Sequence, residues 1–304
     1  MNRLGLFLLA LTAGFGCDKA PSKLDTLPSG KVAGSPGDAS LEERVRRLEA
    51  SNLKYQEALE FLGTVYAQQK AEKDAEEARE PAPDAMFAVA VANDVKAGQV
   101  EGPPTALVTV VKAFDFACPY CEKVNGTLHE LVQEYGGKVR VVYKNFVVHP
   151  EQALPAHLAS CAAAKQGKYL AFKDAFWQQG FGPYAASGGK SRESLGADNI
   201  LKITGGLQLD LKRFKTDMDG ADCKAAIKAD MDELEKFKVG ATPTFFINGM
   251  HVGGALPKQA FKQIIDEKLK VAEASGVKGG DYYDREILAK GEKQFRSKKD
   301  PKPN

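Results

Sequence analysis

The sequence predicts an α/β protein in which a sheet-forming unit carries an inserted helical segment and follows a long separate helix. Two largely apolar runs, ALVTVVKAF (106–114) and KVRVVYKNFVV (138–148), flank a stretch with helical periodicity, the pattern of a βαβ unit. Residues from about 152 to 237 show helical patterns only, and residues 41–80 follow a heptad repeat. We therefore expect one α/β domain with a helical insertion behind a coiled-coil helix.

Residues 1–17 have the features of an export signal. A charged start at Arg3 precedes the apolar run LGLFLLALTAGF, which is too short to span a membrane. The Gly16-Cys17 pair resembles a bacterial lipoprotein cleavage site, so Cys17 is the expected lipidation site. Gly14 and Phe15 fit that pattern poorly, which leaves a signal cleaved without lipidation, or an uncleaved anchor, as alternatives. The protein is exported under each of these three alternatives. We expect it on the periplasmic side of a bacterial membrane, held there by lipid.

Residues 18–40 are rich in Pro, Gly, Ser and Asp and are predicted to form a flexible linker. The heptad pattern of residues 41–80 follows, with a seam made of Leu41, Val45, Leu48, Asn52, Tyr55, Leu59, Leu62, Tyr66 and Gln69. Valine and leucine in alternate columns with one polar Asn favour a two-stranded parallel coiled coil, so we expect a homodimer formed through residues 41–79. The alternative is a single amphipathic helix that lies on the protein's own globular domain.

The α/β domain is expected over residues 86–275. MFAVAV (86–91) is predicted to be an edge strand, and 106–114 a buried central strand that pairs in parallel with 138–148. The Asn248-Gly249 pair predicts a tight hairpin near the end of the domain. Residues 276–304 are predicted to be a C-terminal extension that ends in a basic, proline-bearing, solvated tail.

Cys118 and Cys121 lie in FDFACPYC, between the central strand and the helix. If Cys118 caps that helix, the unpaired N–H groups and the positive end of the helix dipole favour its thiolate. Pro119 suits the first helical position because it lacks an N–H that would have had no helical partner. Cys121 lies one turn further in and is the natural resolving thiol. With Tyr120 between them, these residues form the expected redox dithiol.

Two other uses of the cysteine pair fit the sequence less well. Zinc needs four ligands, and this chain offers one C-x-x-C and four scattered histidines, His129, His149, His157 and His251. A structural disulfide across so short a loop would gain little loop-closure entropy. We therefore expect no metal and no cofactor beyond the redox-active Cys118–Cys121 disulfide. A net charge of only +2 gives no reason to expect nucleic acid as a partner.

Three features together resemble the thiol-disulfide oxidoreductases of the thioredoxin fold, of the DsbA type. They are FACPYC after a strand, a helical insertion, and then VGATPTFFINGMHVGG. The resemblance covers roughly Met86 to Ser275. It implies that the Thr242-Pro243 peptide is cis, lies against the dithiol and leaves the backbone of Thr242 free to pair with an extended substrate.

The chain departs from this family at one position. Oxidising and reducing relatives commonly carry a buried acid six residues before the first cysteine, where this chain has Lys112. A lysine there would favour thiolates but disfavour a buried ammonium, so either its end reaches solvent or its pKa falls. Asp115, three residues before Cys118, is expected to compensate or else to cap a loop.

Cys161 and Cys223 fall on inward faces of helices in the insertion. Buried free cysteine is a common core residue, yet export favours a disulfide between two inward cysteines, and some DsbA-type relatives carry a comparable bridge.

The expected function is thiol-disulfide exchange with exported proteins that contain cysteines, as an oxidase or an isomerase, supported by a redox partner that restores the dithiol. The alternative is a coiled-coil adaptor whose thioredoxin domain binds peptides without turnover.

Overall fold

The computed structural model describes residues 40–302, which form two compact units, one ending at Ala75 and the other beginning at Glu76. The predicted signal 1–17, with Cys17, and all but the last residue of the linker 18–40 lie outside the described residues. The N-terminal unit contributes most of α1 (Leu41–Glu77), a helix of 37 residues that buries none of them. Leu41, Leu48, Leu59 and Tyr66, which belong to the predicted seam, are exposed. The predicted N-terminal helix is therefore present, and its apolar seam is open to solvent in the single chain.

The second unit is built on one five-stranded sheet with the order β1-β3-β2-β4-β5. The strands are β1 (Val100–Glu101), β2 (Val108–Phe114), β3 (Val139–Asn145), β4 (Thr244–Ile247) and β5 (Met250–Gly253). β2 and β3 pair in parallel, and the other neighbours pair antiparallel. The parallel pair and the β4–β5 hairpin agree with the sequence, and Asn248 and Gly249 both adopt positive φ in the hairpin turn.

The helices of this unit are α2 (Ala92–Lys96), α3 (Pro119–Glu134), α4 (Pro150–Ala164), α5 (Tyr169–Phe176), α6 (Gly182–Ala186), α7 (Ala197–Gly206), α8 (Leu211–Asp219), α9 (Ala221–Glu235), α10 (Lys258–Ala274) and α11 (Gly279–Tyr282). π-Helical turns follow α5 and α11, and a 3-10 turn precedes α7. Helices α4 to α9 lie between β3 and β4 in the chain and form the helical insertion.

Both faces of the sheet are covered, which explains why its central strands are almost wholly apolar. Every residue of β2 is buried. Val108, Val110 and Phe114 pack into a large apolar cluster with residues of α3, α10 and the helical insertion. Val111 and Ala113, on the opposite face, pack with residues of α9 and of the C-terminal segment. The strand that leads to the cysteines is thus held firmly from both sides.

Two predictions about this unit are wrong. Met86–Val91 is not an edge strand: alternate residues are buried in the second apolar cluster, and the backbone makes an isolated bridge between Phe87 and Glu292 and a single hydrogen bond from Phe87 to Gly249, without a ladder. The two edge strands of the sheet are β1 and β5. The tail is not solvated throughout either, because the Phe295 ring stacks on Phe87 with centroids 5.8 Å apart and Ser297 is buried.

Candidate active site

The two cysteines of the C-x-x-C pair lie where β2 gives way to α3. Cys118 is the N-cap of α3, with extended backbone, and Pro119 occupies the first turn. The backbone N–H groups of Cys121 and Glu122 donate to the Cys118 carbonyl at 3.1 and 3.2 Å, which starts the helix. The Cys118 thiol therefore stands at the positive end of a 16-residue helix, where a thiolate is stabilised.

The environments of the two thiols differ in a way that separates their roles. Both are free and buried, while Tyr120 between them is 62% exposed. Hydrogen bonding from the Cys121 side chain, helped by Thr242 and by the backbone of Tyr120 and Cys121, lowers the pKa of Cys118 to about 6 despite its burial. Burial raises the pKa of Cys121 well above its usual range. At neutral pH Cys118 is thus largely thiolate and Cys121 is a thiol.

The Thr242-Pro243 segment lies directly beside Cys118. Its peptide bond is cis, and β4 begins at the next residue, Thr244. Cys118 Sγ lies 3.3 Å from the Thr242 carbonyl oxygen, to which the protonated thiol donates, across 124 positions of sequence. The fold therefore brings together the dithiol and the Thr-Pro pair that the sequence singled out separately.

Lys112 lies in the middle of β2 and is completely buried. Its Nζ donates to the Cys121 carbonyl oxygen at 3.0 Å. Burial lowers the pKa of Lys112 to about 8. Of the two outcomes left open by the sequence, the structure shows the second: the ammonium does not reach solvent, and its pKa falls.

Asp115 acts on the backbone of the loops around the dithiol. It is fully buried, and one carboxylate oxygen accepts from the N–H of Ala117 at 2.6 Å. The other accepts from the N–H groups of Val148 and His149 at 2.6 and 2.8 Å. The carboxylate therefore ties the loop before Cys118 to the loop after β3, which is the capping role that the sequence offered as the alternative.

A buried polar chain behind the active-site loop was not foreseen. His157 of α4 accepts from the Phe116 N–H at 3.4 Å through Nε2, so its Nδ1 donates to Asn145 Oδ1 at 2.7 Å. Burial lowers the pKa of His157 to about 4, which keeps the ring neutral. Asn145 Nδ2 donates to the Asp230 carboxylate of α9 at 2.7 Å, and the Lys144 ammonium forms ion pairs with both Asp230 and Asp94.

In the sequence, His157 is only one of four scattered histidines, and no role is predicted for it. Its position four residues before the inward-facing Cys161 on one helix was the available signal that it points into the core.

Cys161 of α4 and Cys223 of α9 are joined in a disulfide, with Cα atoms 5.6 Å apart. This disulfide and the chain from His157 to Asp230 link the same two helices. Both cysteines are remote in sequence from the C-x-x-C pair and form no part of the dithiol. Among residues 40–302, no three or more His, Cys, Asp or Glu side chains are grouped so that they could hold a metal ion.

Comparison with known proteins supports the fold and the family. A family model described as thioredoxin matches residues 94–267, more than half of the chain. The chain belongs to the thioredoxin family. It is 31% identical over 174 residues to a probable disulfide bond formation protein D of Bacillus cereus, covering 56% of this chain and 77% of that protein. This agrees with the DsbA-type thioredoxin resemblance found in the sequence, which is confirmed.

Other relatives show where such a domain occurs and how it folds. The chain is 33% identical over 153 residues to Na(+)/H(+) antiporter NhaA 3 of Salinispora tropica, covering 49% of this chain and 21% of the antiporter. It thus spans about a quarter or less of the antiporters it matches. The crystal structure of Wolbachia pipientis α-DsbA1 superposes with a TM-score of 0.51 at 18% identity, covering 59% of this chain and 94% of that one. That likeness confirms the predicted fold class.

Proposed function

We propose that this protein is a thiol-disulfide oxidoreductase that exchanges disulfides with exported proteins through Cys118 and Cys121. The observation that carries the proposal is the unequal pair of thiols: a Cys118 whose pKa is lowered to about 6 at a helix N-terminus, and a Cys121 buried one turn further in. A thiolate attacks disulfides and a thiol does not, so Cys118 is the attacking or attacked sulfur and Cys121 resolves the mixed disulfide.

Disulfide exchange follows from this division of roles. When the protein oxidises a substrate, a substrate thiolate attacks Cys118 Sγ, the Cys118–Cys121 bond breaks, and Cys121 leaves with the electron pair. The second substrate thiolate then attacks the substrate sulfur of the mixed disulfide and releases Cys118 as the thiolate. Two electrons pass from the substrate dithiol to the enzyme dithiol; of the two protons that the substrate loses, one is taken up by Cys121 and the other goes to solvent, because Cys118 stays a thiolate. A redox partner that accepts the electrons restores the disulfide.

The Thr242-Pro243 segment supplies the place for the substrate backbone. The Thr242 carbonyl is within 3.3 Å of Cys118 Sγ, and Pro243 has no N–H to pair. An extended substrate segment can hydrogen-bond beside Thr242 as an added strand, which sets its cysteine next to Cys118. Recognition through backbone atoms suits an enzyme that acts on many exported proteins.

The setting of the domain is also proposed. We infer export by residues 1–17, with lipidation at Cys17 and the linker 18–40 as a tether to the periplasmic side of the membrane. No helix in the described part of the chain is long and apolar enough to cross a membrane. The disulfide between Cys161 and Cys223 is consistent with an oxidising compartment.

We further propose that α1 pairs with α1 of a second copy. The helix buries none of its residues, and its seam exposes Val45 in one column and Leu41, Leu48 and Leu62 in the other. The seam alternates spacings of four and three, which a partner helix of the same sequence matches. Two dithiol domains would then be held in one assembly.

The proposed activity is tested by comparing the wild-type protein with the Cys118→Ser variant. We expect the wild type to reduce insulin disulfides with a thiol donor and to oxidise reduced ribonuclease, and the variant to lose both activities. A peptide-binding adaptor would instead keep its binding and its biological role after the substitution. Absence of both activities in the wild type would contradict the proposal.

A further inference from the structure

Lys112 is a buried lysine that packs between aromatic side chains. It is 0% exposed, and its neighbours across the sheet are Tyr143 of β3 and Phe245 of β4. Its Nζ lies 5.8 Å from the ring centroid of Phe114 and 5.7 Å from that of Tyr143. A cation placed there loses its hydration, which costs free energy unless a charge of opposite sign is near.

The other charged and titratable groups around Lys112 come from four elements. They are Cys118 at the N-cap of α3, Cys121 of α3, Glu101 of β1, Tyr143 of β3 and Lys173 of α5. Glu101 already accepts from Tyr143 at 2.8 Å and contacts His129 Nδ1 at 2.5 Å.

Lys173 is also paired. It donates to Asp174 at 2.5 Å and to Asn125 at 3.0 Å. Within the described residues, one acceptor contacts Lys112 Nζ, the carbonyl oxygen of Cys121. In the described part of the chain the Lys112 ammonium therefore has no carboxylate at hydrogen-bonding distance; Glu101 attracts it more weakly than the two cysteines do, so the dithiol is the main source of negative charge beside it.

We propose that Lys112 is the counter-charge of the thiolate that reduction creates in the dithiol, and that it thereby biases the dithiol towards its reduced form, so that the protein acts as an oxidant. The inference rests on the proposed oxidoreductase function and assigns its direction. Lys112 is a positioning residue here, since it acts through Cys121 and contacts no substrate.

The chemistry of the exchange shows why Lys112 stabilises the reduced form and not the disulfide form. When a substrate thiolate breaks the Cys118–Cys121 bond, the leaving sulfur is Cys121, which is buried where a thiolate is strongly disfavoured. The neighbouring ammonium stabilises that anion until Cys121 takes up a proton, and it then remains beside the negative charge that the reduced dithiol keeps on Cys118. In the disulfide state neither sulfur carries a charge, so Lys112 gains its partner only after reduction. An oxidoreductase whose reduced form is stabilised is a stronger oxidant.

The test is the reduction potential of the Lys112→Met variant, measured by equilibration with glutathione at pH 7. We expect the ratio of reduced to oxidised protein at a given glutathione ratio to fall by about tenfold, which is ~30 mV for this two-electron couple. The matched control is Lys173→Met. Lys173 is also a buried lysine over the Tyr143 ring, but it is already paired with Asp174. For this control, the ratio of reduced to oxidised protein at the same glutathione ratio should stay within about twofold of the wild-type value.

The possible results separate this inference from the proposed function. A Lys112→Met potential equal to that of an active wild type overturns the role of Lys112 and leaves the oxidoreductase proposal standing. A wild type inactive towards insulin and ribonuclease overturns the function itself. If Lys112→Met does not fold, the wild type alone decides: the reduced protein should melt at a higher temperature than the oxidised one, and the opposite order contradicts the proposal.

Discussion

At the scale of single residues, the site depends on two cysteines made unlike by their positions. Cys118 gains hydrogen bonds from Cys121, Thr242 and the helix start, whereas Cys121 gains mainly burial. The pKa separation therefore comes from the turn between β2 and α3 and from the loop before β4, not from the C-x-x-C spacing alone.

The pH dependence of alkylation tests this difference. The pKa of Cys118 is lowered to about 6, so its reaction rate with iodoacetamide should rise through a midpoint near pH 6 and level off by about pH 8. Cys121 should remain unmodified over this range in the folded protein. The measurement is a rate profile with mass-spectrometric assignment of the modified cysteine. A midpoint near 8.5, the value of an unperturbed thiol, would contradict the assignment.

Asp115 is predicted to act on stability. Asp115→Ala leaves the buried N–H of Ala117 and the part-buried N–H groups of Val148 and His149 without their acceptor, so we expect a loss of about 2 kcal/mol or more in the free energy of unfolding. Asp115→Asn keeps one side-chain oxygen and should lose less. Urea unfolding of both variants measures the effect. An unchanged unfolding midpoint for Asp115→Ala would show that the capping contacts do not matter.

At the scale of elements, α1 offers a matched pair of leucines. Leu48 lies in the seam and Leu53 lies outside it, and both are exposed in the single chain. Leu48→Glu should place a charge in the helix pair and dissociate it, while Leu53→Glu should leave it intact. Light scattering after gel filtration gives the mass of each variant. A wild type that is monomeric, or equal masses for the two variants, contradicts pairing through this seam.

The disulfide between α4 and α9 is expected to stabilise the helical insertion. Its cysteines are 62 residues apart, and closing a loop of that length stabilises the folded state by about 4 kcal/mol in the chain-entropy model. Replacing Cys161 and Cys223 together by Ala should lower the free energy of unfolding by that order. Calorimetry or urea unfolding of the double variant measures it. A loss below about 1 kcal/mol would indicate that packing alone holds the two helices.

At the scale of the whole molecule, periodicity and local chemistry predicted what they encode directly. The β2–α3–β3 unit, the Asn248-Gly249 hairpin and the long N-terminal helix follow from apolar spacing and turn residues. The same rules failed for Met86–Val91, because alternation indicates which side chains are buried and does not reveal whether the backbone finds a ladder partner. They also failed for Phe295, since a single aromatic in a basic tail carries no periodicity.

The candidate site was predicted where its residues form a motif and missed where they meet only in space. Cys118, Cys121, Thr242 and Pro243 carry recognisable patterns, and the fold brings them together. The chain from His157 through Asn145 to Asp230 joins three separate elements, so no local pattern indicates it. Lys112 was visible as a departure, but its contact with Cys121 required the structure.

The central claim is that Cys118 attacks a disulfide and Cys121 resolves the product, and a trapping experiment tests it most directly. The reduced Cys121→Ala variant is incubated with a disulfide-bonded peptide and mapped by non-reducing mass spectrometry, with Cys118→Ala as the control. The account predicts that a mixed disulfide accumulates on Cys118 and that the control, left with the buried Cys121, forms none. Failure of Cys118 to form that adduct would contradict the account.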